Sequence, residues 1–236
     1  MTRTSLVDAV TEALLAQIVA GDLPVGGALP SEAELCQQHD VSRVTVREAV
    51  RTLAAQHVVD VQRGRGTFVL PHSAWTGLEA VLRATAFGAD DGRVSLQLIE
   101  VRRMIETGAA ALAAQRRSTE DLAQLDSCIA GMRAAHGEDN LAAFVEHDIH
   151  FHDIILRATG NVFVGVLFEP LARVMRDKRE QTSAVRVIQA HAITQHVLVF
   201  EAIRSGDAEA ARQAMDGHMT QTADDLERFV LAPLPD

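Results

Sequence analysis

The sequence predicts a mainly α chain, with an N-terminal winged helix-turn-helix followed by an all-helical antiparallel bundle. Three observations carry that prediction. Residues 1–71 read in the order helix, short helix, tight turn, helix, hairpin. From about 78 to 232 helical periodicity recurs without a convincing strand. Only 4% of residues are aromatic, with no Tyr and one Trp, so the cores must be built from Ala, Leu, Ile and Val, and the long Ala/Leu/Arg/Glu tracts favour helix.

The elements follow in order. Leu6, Val10, Leu14 and Ile18 recur at helical spacing over residues 5–20, and Gly21-Asp22 ends the run. LPVGGALP (23–30) reads as a Gly- and Pro-rich loop. SEAE (31–34) is a capping box opening a helix over roughly 31–38. HDV (39–41) makes a tight turn, and Ser42 caps a second helix that reaches about 55. VVDVQ-RGRG-TFVL (58–70) places two β-branched runs around a Gly-containing turn, hence a hairpin, and Pro71 closes the unit. Residues 72–77 form the expected linker between the domains, which Trp75 packs. Helices are then expected at 78–87, 95–115, 119–135, 139–158, 161–180, 184–204 and 207–230. They lie in one bundle domain over 78–232, because no fixed-period repeat marks a solenoid.

Composition narrows the function. The N-terminal stretch carries Asp8 and Glu12 on an amphipathic pattern, so it is neither a signal nor a transit peptide. No apolar run reaches the length of a membrane span. Cys36 and Cys128 lack metal or redox spacing, and a cytoplasmic, disulfide-free protein is expected. The net charge of −10 argues against general coating of nucleic acid. Residues 41–66 nevertheless hold Arg43, Arg47, Arg51, Arg63 and Arg65 against only Glu48 and Asp60. A local positive patch on an acidic chain points to one anionic partner.

In a helix-turn-helix the second helix enters the major groove by its N-terminal side chains. Here it begins SRVTVREAVR, which sets Arg43, Thr45 and Arg47 at its start and Arg51 one turn beyond Arg47. Val44, Val46, Ala49, Val50 and Leu53 are left to pack inward. Arginine pairs with guanine edges or phosphate, and Ser or Thr reaches phosphate. Arg63 and Arg65 on the RGRG turn suit a wing. A solvated arginine face on an ordinary helix remains open at this level.

Metal-ligand chemistry is concentrated further on. In FVEHDIHFHDIIL (144–156) the apolar stripe through Phe144, Val145, Ile155 and Leu156 contains Asp148 and His152, one turn apart. Glu146, His150, Asp153 and Arg157 form the wet face. Later stripes contain His196 (with Ile193, Val199, Phe200 and Ile203) and His218 (with Ala211, Met215, Thr222 and Phe229). Three histidines and one aspartate facing into an apolar bundle suit a divalent transition ion, Zn²⁺ or Ni²⁺. His136, His147, His150 and His191 read as surface residues. Met104, Met132, Met175, Met215 and Met219 read as core.

The run LPSEAELCQQHDVSRVTVREAVRTL…RGRGTFV resembles the N-terminal domain of GntR-family bacterial transcription regulators over nearly all of residues 5–70. The resemblance implies a DNA-binding winged helix with contacts at Arg43, Thr45, Arg47 and wing Gly64, and Ser42 at the start of the same helix is a further DNA-binding candidate. Ala33 stands where many members carry Arg, and His57 where Gly is usual. IEVRRMIETGAAALAA, FVEHDIHFHDIIL, ATGN, QHVLVFEAIRSGDAEAA and MDGHM resemble the FadR-type ligand-binding domain, called FCD, over about 78–230. That implies metal ligands at Asp148, His152, His196 and His218. It also places Arg102 near an effector carboxylate, with Asn161 of the ATGN turn either a further effector-site position or a cap for the next helix.

The function expected is an effector-responsive transcription regulator, not an enzyme. It would be a homodimer on a palindromic double-stranded operator, responding to a small organic acid held at the metal. A regulator responding to metal alone and a metal-dependent hydrolase are the competing readings. No residue is placed as an obvious general base for the hydrolase.

Overall fold

The computed structural model describes residues 5–78, 80–81 and 91–231. α1 (Leu6–Ala20) starts on a capping box that the sequence reading passed over. Ser5 Oγ accepts from the Asp8 amide at 3.1 Å, and Asp8 accepts from the Ser5 amide at 3.3 Å. The Ser31 box opens α2 (Glu32–His39) in the same way, at 3.3 and 2.7 Å. Ser42 caps α3 (Arg43–Ala55) by accepting from the Thr45 amide at 3.2 Å. Each cap satisfies amides that a helix leaves orphaned, which stabilises it by about 1 kcal/mol.

The hairpin pairs β1 (Val59–Gln62) with β2 (Gly66–Val69), Val59 opposite Val69 and Gln62 opposite Gly66. At the exit from α3, His57 takes a left-handed φ of 53°. The 23–30 segment is more than the loop its glycines and prolines suggest. Leu29 N donates to Thr67 O at 2.8 Å, Val69 N donates to Gly27 O at 2.9 Å, and Ala28 bridges to Phe68. It therefore lines the edge of the wing, where a segment flanked by Pro24 and Pro30 is tolerated.

Contacts divide the chain into two compact units, Met1–Asp91 and Gly92–Asp236. The first has a core of Leu14, Leu35, Val46, Leu53 and Val58, all fully buried. Trp75, read from the sequence as packing the linker, belongs to that core. It is 6% exposed, and its indole Nε1 donates to Leu70 O at 3.0 Å.

The second unit is a bundle of α4 (Asp91–Arg116), α5 (Thr119–Gly137), α6 (Leu141–Ala158), α7 (Val162–Ser183), α8 (Arg186–Ser205) and α9 (Ala208–Leu226). Connections of two or three residues make successive helices antiparallel neighbours. Ser118, Asn140, Asn161 and Asp207 cap α5, α6, α7 and α9. α4 begins four residues earlier than its periodicity suggested. α9 ends at Leu226 and passes into a π turn, Glu227–Leu231. Most of the expected helix over 78–87 lies outside the described residues. Met132, Met175, Met215 and Met219 are buried, but Met104 is 76% exposed and is not core. Among the described residues no helix is long and apolar enough to cross a membrane.

If Trp75 is core to the first unit, Trp75→Ala should destabilise it by about 3–5 kcal/mol. Trp75→Phe keeps the apolar mass and should lose much less. Urea unfolding followed by circular dichroism checks this. A loss under about 0.5 kcal/mol for the alanine variant, typical of surface sites, would return Trp75 to a linker role.

Candidate DNA-reading surface and candidate metal centre

α3 presents Arg43, Arg47 and Arg51 to solvent, with Thr45 half-buried between them. Arg47 does not stand free: its Nε donates to both carboxylate oxygens of Glu32, at 2.9 and 3.0 Å. Arg51 Nη1 donates to Glu48 at 2.6 Å. Both pairs are solvent-exposed, where an ion pair stabilises little, so either guanidinium can be redirected to an anion at small cost. Ser42 spends its hydroxyl on the helix cap and stands 3.0 Å from the Thr45 hydroxyl.

Val44 departs from expectation, being 70% exposed. Val44 and Val46 are two residues apart, about 200° around a helix, so both cannot face the core, and Val46 takes it. An exposed valine on the first turn can contact a thymine methyl. The wing displays Arg63, Gly64 and Arg65, all exposed, with Gly64 at φ 74° where a side chain would be strained. A cleft of about 490 Å³ runs between wing, α3 and the start of α2, bordered by Arg47, Arg51, Arg63 and Gly64.

In the second unit the inward register of α6, α8 and α9 brings three imidazoles together. His152, His196 and His218 are 1%, 0% and 4% exposed. One nitrogen of each lies within 4.8 Å of the other two. His152 and His196 approach at 3.2 Å through their Nε2 atoms. Asp148 joins from one side, Oδ1 3.3 Å from His196 Nε2 and Oδ2 2.7 Å from Arg179 Nη1.

Burial first, then the Arg179 and Arg102 guanidinia, holds His152 well below the usual imidazole range. Burial and the neighbouring imidazoles do the same to His218. His196 is lowered by burial against the pull of Asp148. Burial works to raise the Asp148 carboxyl, but Arg179, the two imidazoles and Arg102 overcome it and hold it at about 2. The cluster is thus three neutral imidazoles beside a carboxylate. Both ring nitrogens of His218 and Nδ1 of His196 are buried without a hydrogen-bond partner among the described residues. Orphaned buried polar atoms are costly, and the donor set matches a divalent transition ion. The residues fit such a group.

Arg102, 4% exposed, reaches the cluster with Nη2 3.2 Å from His152 Nε2. Arg103 turns outward to Thr220 at 2.9 Å and Asp216 at 3.7 Å. Two participants were missed. Glu106 is 1% exposed and accepts from Arg102 Nε at 2.7 Å. It lies one turn beyond Arg102, so helical spacing alone would have placed it. Arg179 lies in a tract of charge with no apolar stripe to flag it.

Asp153, expected on the wet face, is half-buried in a small cleft with Ile149, Phe168, Met175 and Arg179. Burial raises its carboxyl above the usual range. Asn161 is not brought to the cluster. It is exposed, its Oδ1 accepts from the Phe163 amide at 3.1 Å to cap α7, and it lies three residues beyond the end of α6 at Ala158, itself about 9 Å of helix rise past His152. Of the histidines read as surface, His150 is exposed. His136 is half-buried with Nδ1 2.7 Å from Gln189 Oε1, and His191 is half-buried against Asp225 at 2.9 Å. His147 rests over Gly131, where an added Cβ would come within 2.4 Å of its ring.

The pattern of the gntR family of bacterial regulatory proteins matches residues 6–69. That of the FCD domain matches residues 97–221. The chain is 34% identical over 200 residues to the galactonate operon transcriptional repressor of Escherichia coli, covering 84% of this chain and 86% of that one. It is 31% identical over 229 residues to a putative L-lactate dehydrogenase operon regulatory protein of the same organism, covering 95% and 87%. Among solved structures, Lar, which controls expression of the agr system of Listeria monocytogenes, superposes with a TM-score of 0.66 over 97% of this chain and 100% of that one. At 18% identity that likeness shows the fold alone.

The Asp148–Arg179 pair generates a stability test. Arg179→Met leaves a carboxylate buried without its partner and should cost the helical unit about 3–5 kcal/mol. Adding Asp148→Asn removes the stranded charge and should recover part of the loss. Urea unfolding of the single and double variants checks it; purely additive losses would show that the two side chains do not act as a pair.

Proposed function

Because the chain belongs to the gntR family of bacterial regulatory proteins, with an FCD domain behind its DNA-binding domain, we propose that a small carboxylate metabolite, bound at a metal centre in the FCD domain, sets its hold on an operator. Asp148, His152, His196 and His218 hold the metal, and Arg102 meets the acid. The protein acts as a cytoplasmic homodimer on a palindromic operator, where two-fold protein symmetry matches two half-sites. Arg43, Thr45, Arg47, Arg51 and exposed Val44 read the major groove, while Arg63, Gly64 and Arg65 approach the backbone or minor groove. Ser42 orders the start of the reading helix.

The observation that carries the acid is the charge balance of the buried cluster. Arg102 and Arg179 face Asp148 and Glu106, and the imidazoles are neutral, so the protein charges cancel. A divalent ion, which supplies a Lewis-acidic point for a carboxylate, brings two positive charges that an anionic ligand offsets. Arg102 adds a charge-assisted donor at the same place. The names of the galactonate and lactate relatives support a hydroxy acid, and the former supports repression. As a regulator and not an enzyme, the chain needs no general base there. Allostery requires that acid and operator prefer different conformations of the same protein.

The metal is tested by its content in purified protein, expected at about one ion per chain by the donor count of such sites. His152→Ala should lose most of it, whereas exposed His150→Ala should not; equal content in both variants sinks the ligand assignment. The acid is tested by operator gel shifts titrated with hydroxy acids at fixed metal. Arg102→Ala should keep metal and operator affinity but need at least tenfold more acid, a loss of about 1.4 kcal/mol or more, while Arg103→Ala responds normally. An operator affinity that follows free metal and ignores every acid would favour the metal-only regulator.

A further inference from the structure

We infer that Glu106 is the positioning residue that joins the metal subsite to the acid subsite, by fixing the His152 tautomer with one carboxylate oxygen and the Arg102 guanidinium with the other. This rests on the cluster being a metal and acid site. Oε1 of Glu106 accepts from Arg102 Nε at 2.7 Å, while Oε2 lies 2.5 Å from His152 Nδ1. Both Oε2 and Nδ1 are buried, and neither makes a hydrogen bond of standard geometry to any described residue, so their 2.5 Å approach is the contact through which each answers the other.

The far side of the ring gives the same answer independently. A guanidinium nitrogen can only donate, so Arg102 Nη2, at 3.2 Å, requires His152 Nε2 to accept. In a neutral imidazole with a lone pair on Nε2, the proton sits on Nδ1, facing Glu106. The lone pair then points to the side where His196 Nε2 stands 3.2 Å away. A carboxylate behind a ligating imidazole also raises its basicity, and losing such a partner typically weakens metal binding about 10–100-fold. Because Glu106 holds Arg102 as well, one side chain sets both the nitrogen offered to the metal and the cation offered to the acid.

The discriminating substitution is Glu106→Gln. Arg102 Nε still needs an oxygen, so the amide oxygen stays with it and the NH₂ faces His152 Nδ1. A donor there forces Nδ1 to accept and moves the ring proton to Nε2, which removes the lone pair from the cluster. Glu106→Asp retains two acceptors on a shorter stem and should rescue the tautomer. Glu100→Gln, on an exposed position of α4, is the control.

The measurements are made on the full-length protein. Nitrogen-15 NMR of labelled histidines, assigned by comparison with His152→Ala, reports the tautomer without any metal. Cobalt(II) titrated against a competing chelator reports metal affinity, and its absorption band reports the ligand set. We expect Nδ1–H on His152 in the wild type, Glu100→Gln and Glu106→Asp proteins. Glu106→Gln should show Nε2–H with cobalt affinity lowered about 10–100-fold. A wild-type ring carrying its proton on Nε2 overturns the inference whether or not any variant folds. So does a Glu106→Gln protein with unchanged tautomer and cobalt affinity. A wild-type protein that binds no cobalt overturns the metal reading itself, and the tautomer measurement distinguishes that outcome from a failure of Glu106.

Discussion

Seven ionisable side chains buried in the core of one helical unit constrain everything around them. Arg102, Glu106, Asp148, His152, Arg179, His196 and His218 are each less than a tenth exposed. A bundle of this size is easier to stabilise with leucine at those positions, since buried charges are costly even when paired. They are tolerated because each acid is matched to a guanidinium and each imidazole is kept neutral. The arrangement is not fully satisfied from within, as the orphaned nitrogens of His218 and His196 show. A site that holds its charges in balance yet leaves nitrogens unpartnered is arranged to receive something. That is the difference between a structural ion-pair network and a binding site.

The first unit solves a different problem, which is to hold an exposed cationic surface rigid. Its core is small, and three of its helix starts are fastened by serine caps. The wing is supported at its edge by residues 26–29 and underneath by Trp75. The Glu32–Arg47 and Glu48–Arg51 pairs hold two exposed arginines of α3 at the surface without trapping them. Such pairs are weak in water, so a competing anion would displace the acid readily. An uncapped or loosely packed α3 would meet the same DNA only after losing more side-chain and backbone entropy.

Much of this is legible in the sequence, and the failures share causes. Ser31 with Glu34, the glycines of RGRG and the inward positions of His152, His196 and His218 depend on local spacing, which a sequence displays directly. Three apolar stripes each interrupted by one histidine suffice to find the imidazole cluster. Residues 26–29, Trp75 and Arg179 depend on partners distant in the chain, and nothing in their own neighbourhoods announces them. Arg179 in particular sits in a tract of charges that reads as surface. Val44 and Met104 fail differently: an apolar residue is assigned inward by type when the helical angle allows only one of two neighbours there. Glu106 was within reach, because it completes one turn from Arg102 on the same face. Asn161 holds the cap of α7, one of the two roles its sequence context offers.

The distribution of the buried cluster over the fold bears on regulation. Arg102 and Glu106 come from α4, Asp148 and His152 from α6, Arg179 from α7, His196 from α8 and His218 from α9. Five of the six described helices of the unit therefore meet at one point, joined by short connections that allow little independent movement. A ligand that binds such a point cannot act on one helix alone, because any change in the spacing of the imidazoles or guanidinia is shared among all five. A ligand shifts a conformational equilibrium only by its differential affinity for the two states. A site assembled from five helices gives a small ligand large differential affinity, since a displacement of any one helix degrades its contacts. An all-leucine core would hold the helices as firmly, but it would offer no polar point at which a ligand could distinguish one arrangement from another.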